Sequence, residues 1–241
     1  RRSVAEETSL LNYRGQATVR LIAVLLFLVI PKEVMGSDID ALISRAANSH
    51  GISIELLRAV VRTETHFMPW SFNTDGESFR FDSRSEAINA LYQLALNPWM
   101  LKTKSKTNGI QRRFFNSEDS ALEMLNGMNR SNSASKFVLI DNSSLDNGEA
   151  VIRRLNVVST DIGLVQVNYR FHGQNLPVQL WFDPQFNLDY AASLLAKHRA
   201  KTGDDVKAAG LYHSGTPSVQ ERYLNDFIPN YEYEVANALA N

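Results

Sequence analysis

From Ser37 onward, apolar residues recur at intervals of three and four positions, and this period limits the chain to a mainly helical fold. The first helix is predicted to begin at the capping candidates Ser37 and Asp38 and to end at Gly51. A second helix begins at Ser53 and is stopped by Pro69. The remaining predicted helices are 83–97 with a capping box, 120–128, 183–203, 206–212, and a final stretch of 218–227 that resumes beyond Pro229 to 240.

Between these helices the pattern is less regular. The segment 102–136 is basic and polar, which predicts a solvated loop or a docking surface for an acidic partner around the short helix. The runs 137–140 and 150–158 predict a β-hairpin joined near Gly148, with a helix as the alternative for the second run. The segment 160–168 fits a strand or a helix start equally well. The predicted fold class is therefore mainly α (α+β).

Composition excludes several classes of protein. The 25 Lys and Arg against 26 Asp and Glu give a formal net charge of -1. Nucleic-acid binding depends on clustered cations that release counterions, so no nucleic-acid partner is expected. The 44% of hydrophobic residues is enough for a packed core. Because cysteine is absent, disulfides, thiolate metal sites and cysteine nucleophiles are excluded.

An uncharged apolar block covers residues 21–30 and follows Arg14 and Arg20. A membrane-spanning helix needs about 20 apolar residues, so the shorter block fits the core of a secretory signal better. We expect 1–36 to be a signal peptide with its flanking segment, cleaved before Ser37, and 37–241 to be one exported domain. An uncleaved anchor and a buried core strand are the alternatives.

Glu64 continues the apolar face of the second helix, four positions after Val60 and three after Val61. Apolar neighbours and the C-terminal end of the helix dipole both favour the neutral carboxyl there, as a general acid requires. The alternative is a structural salt bridge with Arg58, Arg62 or another base.

Three motifs then occur in order at the ends of predicted elements. They are Arg-Thr-Glu-Thr-His-Phe-Met-Pro-Trp at 62–70, Gly-Leu-Val-Gln-Val-Asn at 163–168, and Ala-Gly-Leu-Tyr-His-Ser-Gly at 209–215. They resemble the Glu-Ser, Gly-Leu-Met-Gln-Ile-Asn and Ala-Tyr-Asn-x-Gly motifs of the soluble lytic transglycosylase family. The resemblance covers roughly 38–223 and implies a lysozyme-like helical domain with the small β-hairpin in an insertion.

The chain departs from the family pattern at three motif positions. Thr65 replaces Ser, Val165 replaces Met and His213 replaces Asn. The insertion of about 75–156 separates the first two motifs and looks like that of the specialised branch that accompanies secretion, conjugation or pilus machines. The resemblance thus implies a periplasmic (cell-envelope) protein whose partners are peptidoglycan glycan strands and components of such a machine.

The family's chemistry is cleavage of the β-1,4 bond between N-acetylmuramic acid and N-acetylglucosamine, with a 1,6-anhydro product and no cofactor or metal. The resemblance implies that Glu64 protonates the leaving oxygen and then, once ionised, takes the proton of the attacking C6 hydroxyl. Tyr212 would orient Glu64, and Gln166 would bind the N-acetyl group or sugar hydroxyls. The remaining residues expected to line the cleft are Thr65, Asn168 and His213.

Two further residues are candidates for the same cleft. Asp161 would be the second carboxylate of a goose-lysozyme-like hydrolase, or else a turn cap. Trp70 is expected to stack on a sugar ring. The five histidines lack metal-ligand spacing, so no metal site is expected. An inactive peptidoglycan-binding scaffold that uses the same cleft is the third functional alternative.

Overall fold

Side-chain caps begin several helices of the computed structural model where the sequence predicts them. The structure describes residues 36–131, 136–142, 144–173 and 175–240. The oxygen of Ser53 accepts the Leu56 N–H at 3.2 Å, and the oxygen of Ser83 accepts the Glu86 N–H at 3.3 Å. The predicted signal segment lies outside these residues except for its last one. In the described ranges, no helix is long and apolar enough to cross a bilayer.

Eight α-helices and eight strands are found in these residues, together with two short 3-10 helices. The helices are α1 (Gly36–His50), α2 (Ile54–Thr65), α3 (Arg84–Leu96), α4 (Glu118–Ser131), α5 (Tyr169–His172), α6 (Pro184–Thr202), α7 (Asp205–His213) and α8 (Pro217–Ala240). The strands are β1 (Ser71–Thr74), β2 (Glu77–Arg80), β3 (Trp99–Ser105), β4 (Gly109–Phe115), β5 (Val138–Leu139), β6 (Glu149–Arg154), β7 (Thr160–Ile162) and β8 (Val167–Asn168). The predicted α+β class is confirmed.

The last helix differs from its prediction. α8 runs unbroken through Pro229, although proline removes one backbone hydrogen bond and its ring crowds the preceding turn. Tertiary packing compensates, since Phe227 and Glu234 are buried on either side of the proline.

The helical core surrounds α2. This helix packs against α8 and α1, while α6 contacts α1 and α7. The α2 side chains Leu56, Leu57, Val60 and Val61 are fully buried. At about 1.5–3 kcal/mol for each large apolar side chain, this face anchors α2 firmly in the core.

The first sheet has the order β2-β1-β7-β8. The segment 160–168, left open between strand and helix, is the β7–β8 hairpin, in which Ile162 is opposite Val167. Thr74 is opposite Thr160, and their hydroxyl oxygens are 2.8 Å apart. The polypeptide therefore leaves the first sheet after β2 and re-enters it as β7 beside β1, so the long insertion begins and ends at the same sheet.

The second sheet has the order β4-β3-β6-β5 and corrects two predictions. The basic segment expected to be a loop contains the antiparallel hairpin β3–β4. The predicted hairpin partners β5 and β6 are instead parallel, and β6 pairs antiparallel with β3 on its other edge. The short helix expected at 120–128 is confirmed as α4.

A buried ion cluster joins the two sheets. Glu77, 3% exposed, is 2.8 Å from Lys102, 2.7 Å from Arg112 and 3.1 Å from Arg153. Burial by itself would raise the pKa of Glu77, but the hydrogen bonds from Lys102 and Arg112 outweigh burial and lower it. The second sheet is thus fixed to the β1–β2 hairpin by a carboxylate that stays ionised.

Candidate active site

Glu64 lies in the last turn of α2 and opens onto a polar cavity of about 460 Å3. Its side chain is 13% exposed, and the Nδ1 atom of His213 lies 3.6 Å from its Oε1 atom. The cavity is lined by Glu64, Asn73, Ser78, Asp161, Gln166, Asn168, Phe171, His172, Leu194, Tyr212 and His213. A carboxyl of this kind, poised at the wall of a cavity of ligand size, is suited to proton transfer.

The arginines nearest to Glu64 in sequence are engaged elsewhere. Glu234 of α8, 3% exposed, is 2.9 Å from Arg58 and 2.6 Å from Arg62. Arg58 also pairs with Asp40. The expected alternative of a structural salt bridge with Arg58 or Arg62 is therefore wrong, and the base that lies near Glu64 is His213.

The backbone after α2 is strained. His66 and Phe67 both have positive φ angles, 55° and 66°, although neither is glycine. The ring of Phe67 lies against Arg58 and Arg62, whose guanidinium carbons are 5.4 and 5.1 Å from its centroid. This arginine pair, held by Glu234, therefore supports the turn that ends the helix of Glu64.

The second motif forms the turn of the β7–β8 hairpin beneath the cavity. Gly163 has a φ of 83°, and a Cβ there would lie 2.5 Å from the carbonyl oxygen of Trp181. The buried amide of Asn187 donates to the Ile162 carbonyl at 3.0 Å and accepts the Val165 N–H at 3.1 Å. Only glycine fits at position 163, and Asn187 fixes the turn from behind.

The turn presents its two predicted amides to the cavity. Gln166 has a φ of 48°, and its Nε2 atom donates to the Gly163 carbonyl at 2.8 Å. The Nδ2 atom of Asn168 donates to Oδ1 of Asp161 at 2.8 Å, while its own Oδ1 accepts the Arg170 N–H. The side-chain carbonyl oxygen of Gln166 accepts no hydrogen bond from the described residues, so it is an acceptor available to a ligand N–H.

Asp161 is the second carboxyl of the cavity. Burial raises the pKa of Asp161 to about 6, the hydrogen bond from Asn168 opposes the rise, and the charge of Glu64 adds to it. The geometry does not favour the alternative role of Asp161 as a turn cap, because its carboxylate accepts a hydrogen bond from the Asn168 side chain and not from a backbone N–H. Near neutral pH the site therefore holds two carboxyls that influence each other.

Tyr212 lines the cavity but does not hydrogen-bond Glu64. Its hydroxyl donates to the Val165 carbonyl at 2.6 Å, so it ties α7 to the second motif. Burial raises the pKa of Tyr212 well above its ordinary value, and the charge of Glu64 adds to the effect. Tyr212 positions the hairpin turn, and its predicted direct role in orienting Glu64 is corrected.

An aromatic column on α8 supports the third motif. The imidazole of His213 stacks on Tyr223 at 4.2 Å with an interplanar angle of 5°, and Phe227 and Tyr231 continue the column at 5.8 and 5.6 Å. The hydroxyl of Tyr231 donates to Asp205 at 2.8 Å, and that carboxylate also accepts the hydroxyl of Ser53, the cap of α2. The column thus connects both ends of the helix that carries Glu64.

Tyr223 is also coupled to Glu64. Burial raises the pKa of Tyr223 well above its ordinary value, and the charge of Glu64 raises it further. Its buried hydroxyl lies near the Glu64 carboxyl, and this side-chain contact raises the pKa of Tyr223 further, although its geometry falls short of a full hydrogen bond. The sequence gives no signal for Tyr223, because this residue lies outside the third motif, in α8.

Two predicted site residues lie outside the cavity. Thr65 is 2% exposed, and its hydroxyl donates to the Leu164 carbonyl at 2.8 Å, so it joins α2 to the second motif from inside the core. Trp70 lines a separate cavity with Phe67 and Phe81. The expected cleft positions of Thr65 and Trp70 are therefore wrong. Thr65 follows Glu64 on α2 and so points from a different face of the helix, into the core, and Trp70 lies beyond the turn that ends α2.

The apolar aromatic side chain that lines the cavity is Phe171 and not the expected Trp70. It lines the cavity from α5 and is 74% exposed, which a core role does not explain. Asn73 and Ser78 line the opposite wall from the β1–β2 hairpin, with the Asn73 amide donating to the Ser78 hydroxyl at 3.0 Å. Neither wall carries a motif, so local sequence offers no signal for these three residues.

Among the described residues, no cluster of three or more His, Asp or Glu side chains is arranged to hold a metal ion. No family model, curated protein or solved structure matches this chain.

Proposed function

We propose that this chain is an exported lytic transglycosylase that cleaves the β-1,4 bond between N-acetylmuramic acid and N-acetylglucosamine of peptidoglycan, forming 1,6-anhydro-N-acetylmuramic acid. The observation that carries the proposal is the position of Glu64, 13% exposed at the wall of a polar cavity that the second and third motifs also line. Export rests on the apolar block 21–30, which lies outside the described residues.

The geometry supports each proton transfer of this reaction. Glu64 in its acid form protonates the glycosidic oxygen as the bond to C1 breaks. The substrate's N-acetyl group stabilises the positive charge at C1, and amides of Gln166 and Asn168 lie in the same cavity to bind it. The ionised Glu64 then takes the proton of the C6 hydroxyl, whose oxygen closes on C1, so Glu64 is restored to its acid form.

A hydrolase of the goose-lysozyme kind is the second candidate, and Asp161 favours it. Two carboxyls face one cavity, as in glycosidases that use an acid and a base, and Asp161 in its ionised form would activate water. The two candidates differ in their product, because the lyase consumes no water.

Digestion of purified sacculi tests the proposal. Wild type is expected to release anhydro-muropeptides, and Glu64→Gln is expected to release none while folding normally. Glu232→Gln on the exposed face of α8 is the matched control and should retain activity. Products heavier by one water would identify the hydrolase instead. If wild type and Glu64→Gln release the same negligible amount, the domain is a binding scaffold and the proposal is lost.

A role in local wall opening for a secretion, conjugation or pilus machine belongs to the same proposal. Its support is the insertion, which forms a second sheet with its own small core around Leu101, Ala121, Leu125 and Ala150. Apart from the β1–β2 hairpin, the described part of the insertion does not line the cavity of Glu64. Its surface is therefore free to bind another component.

A further inference from the structure

A second cavity, of about 710 Å3, lies on the sheet of the insertion. We call it the cationic pocket, because Lys106, Arg113 and Lys136 line it. It shares no lining residue with the cavity of Glu64. Its volume falls within the range of about 300–1,000 Å3 typical of ligand sites, and it exceeds what a single carboxylate or phosphate fills.

The cationic pocket opens on the face of the second sheet that is turned away from Glu77. Side chains alternate along a strand, so Lys102 and its neighbour Thr103 project to opposite faces. Lys102 reaches Glu77 at 2.8 Å, whereas Thr103 lines the cationic pocket together with Gln111, its partner on β4. A glycan strand bound at Glu64 therefore lies on the other side of this sheet.

The three cations have no internal counter-charge. No Asp or Glu among the described residues lines the cationic pocket. Lys106, Arg113 and Lys136 form no ion pair within the described part of the chain, and the Nη1 atom of Arg113 has the sulfur of Met128 as its partner at 3.1 Å. Other basic side chains of the same hairpin have internal partners: Lys102 and Arg112 are paired with Glu77, and Lys104 donates to the Leu145 carbonyl at 2.7 Å.

The rest of the lining is suited to a peptide. Thr103, Gln111 and Asn147 offer hydroxyl and amide groups that can bond a peptide backbone. Met128 and Phe137 add an apolar wall at the end of α4. Clustered positive charge steers and orients an oppositely charged partner more than it adds raw affinity.

We propose that the cationic pocket docks an acidic peptide segment of a partner protein. The occupant is a separate molecule and not the peptide stem of the glycan being cut, because the sheet stands between the two cavities. The proposal does not depend on the activity of Glu64.

Fluorescence anisotropy with the full chain tests it. The probe is a labelled peptide of about eight residues that alternates Glu and Ser, and the control peptide has Gln in place of Glu. The triple variant Lys106→Gln, Arg113→Gln, Lys136→Gln removes the pocket charges. The matched control Lys197→Gln, Lys201→Gln, Lys207→Gln removes the same charge from exposed positions on α6 and α7. We expect the pocket variant to bind the Glu peptide at least about tenfold more weakly and the control variant to bind within about twofold of wild type.

Several outcomes overturn the proposal. Equal weakening in both triple variants would show a general charge effect, and equal binding of the Gln peptide would show that carboxylates are not recognised. Displacement of the probe by soluble muropeptides at lower concentration than by unlabelled Glu peptide would assign the pocket to the wall. The pocket variant should keep the circular dichroism spectrum of wild type, which shows that weaker peptide binding is not due to misfolding. It should also release muropeptides as wild type does, which separates peptide binding from the proposed function.

Discussion

The imidazole of His213 lies 3.6 Å from the carboxylate of Glu64 and is stacked face to face on Tyr223. The third motif of the lytic transglycosylases, which this segment resembles, has Asn at this position. The substitution replaces an amide by a ring that the stack holds flat, so the Glu64 carboxyl gains a neighbour that can donate a proton or carry charge.

We expect His213→Phe to retain the stack and lose the polar contact. Muropeptide release should fall about three- to tenfold, since one partner of the acid is removed while the acid itself remains. Thermal unfolding should move little. His213→Asn is the comparison, because Asn occupies this position in the motif that the segment resembles: activity near that of wild type is expected there. Full activity in His213→Phe would show that the contact with Glu64 is incidental.

Asp161 predicts a specific pH dependence of stability. Its pKa is raised from 3.8 to about 6 in the folded protein, so the folded state binds the proton more tightly than the unfolded state. Stability therefore decreases as pH rises from about 4 to 6 and then levels off, with a total effect of roughly 3 kcal/mol. Asp161→Asn cannot ionise and should lack this loss.

Urea unfolding of both proteins between pH 4 and pH 7 checks this. The difference in unfolding free energy, variant minus wild type, is expected to grow with pH across that interval. A difference that stays constant would mean that Asp161 ionises as easily when folded as when unfolded.

Phe171 is predicted to bind sugar and not to support the fold. Because 74% of it is exposed, Phe171→Ala should change the unfolding free energy by less than about 0.5 kcal/mol. Loss of an aromatic platform should raise KM for glycan strands several-fold and leave kcat nearly unchanged. Phe171→Trp should restore KM. The expectation fails if KM is the same in Phe171→Ala and wild type.

Thr65 is predicted to act through its buried hydroxyl. Thr65→Val keeps the shape but leaves the Leu164 carbonyl without this donor, so a loss of about 1–3 kcal/mol in unfolding free energy is expected. Thr65→Ser keeps the donor and removes one methyl, which costs about 1 kcal/mol. Chemical denaturation ranks the two, and a Ser variant less stable than the Val variant would contradict the role of the hydroxyl.

Glu234 is predicted to be the most sensitive position of α8. Glu234→Ala leaves Arg58 and Arg62 without their shared partner, and breaking such a buried pair typically costs about 3–5 kcal/mol. Glu232→Ala, two positions away and exposed, should cost less than about 0.5 kcal/mol. Equal costs at the two positions, measured by thermal unfolding, would rule out the arginine network as a support of α2.

The helices were predictable because their signals are local. Ser53 and Ser83 cap the helices that follow them, and the motifs around Glu64, Gln166 and Tyr212 converge on one cavity as their resemblance implies. The three motifs therefore predicted most of the polar residues of the candidate site.

The second sheet was not predictable from its strands. In β3 a buried lysine, Lys102, alternates with the polar Thr103, so neither face of the strand shows an apolar pattern. The charge becomes acceptable only through Glu77, 25 positions earlier in the chain. Phe171 and Ser78 escaped notice for a related reason, since tertiary packing alone brings them to the cavity.

The aromatic column also bears on the stage of synthesis at which the candidate site can form. Tyr223, against which His213 lies, and Glu234, which holds the arginines behind Glu64, both come from α8. A nascent chain that has reached residue 216 already contains all three motifs but lacks the helix that supports them. An enzyme of the proposed kind would thus gain its cutting ability only after α8 has been synthesised and has packed against α2.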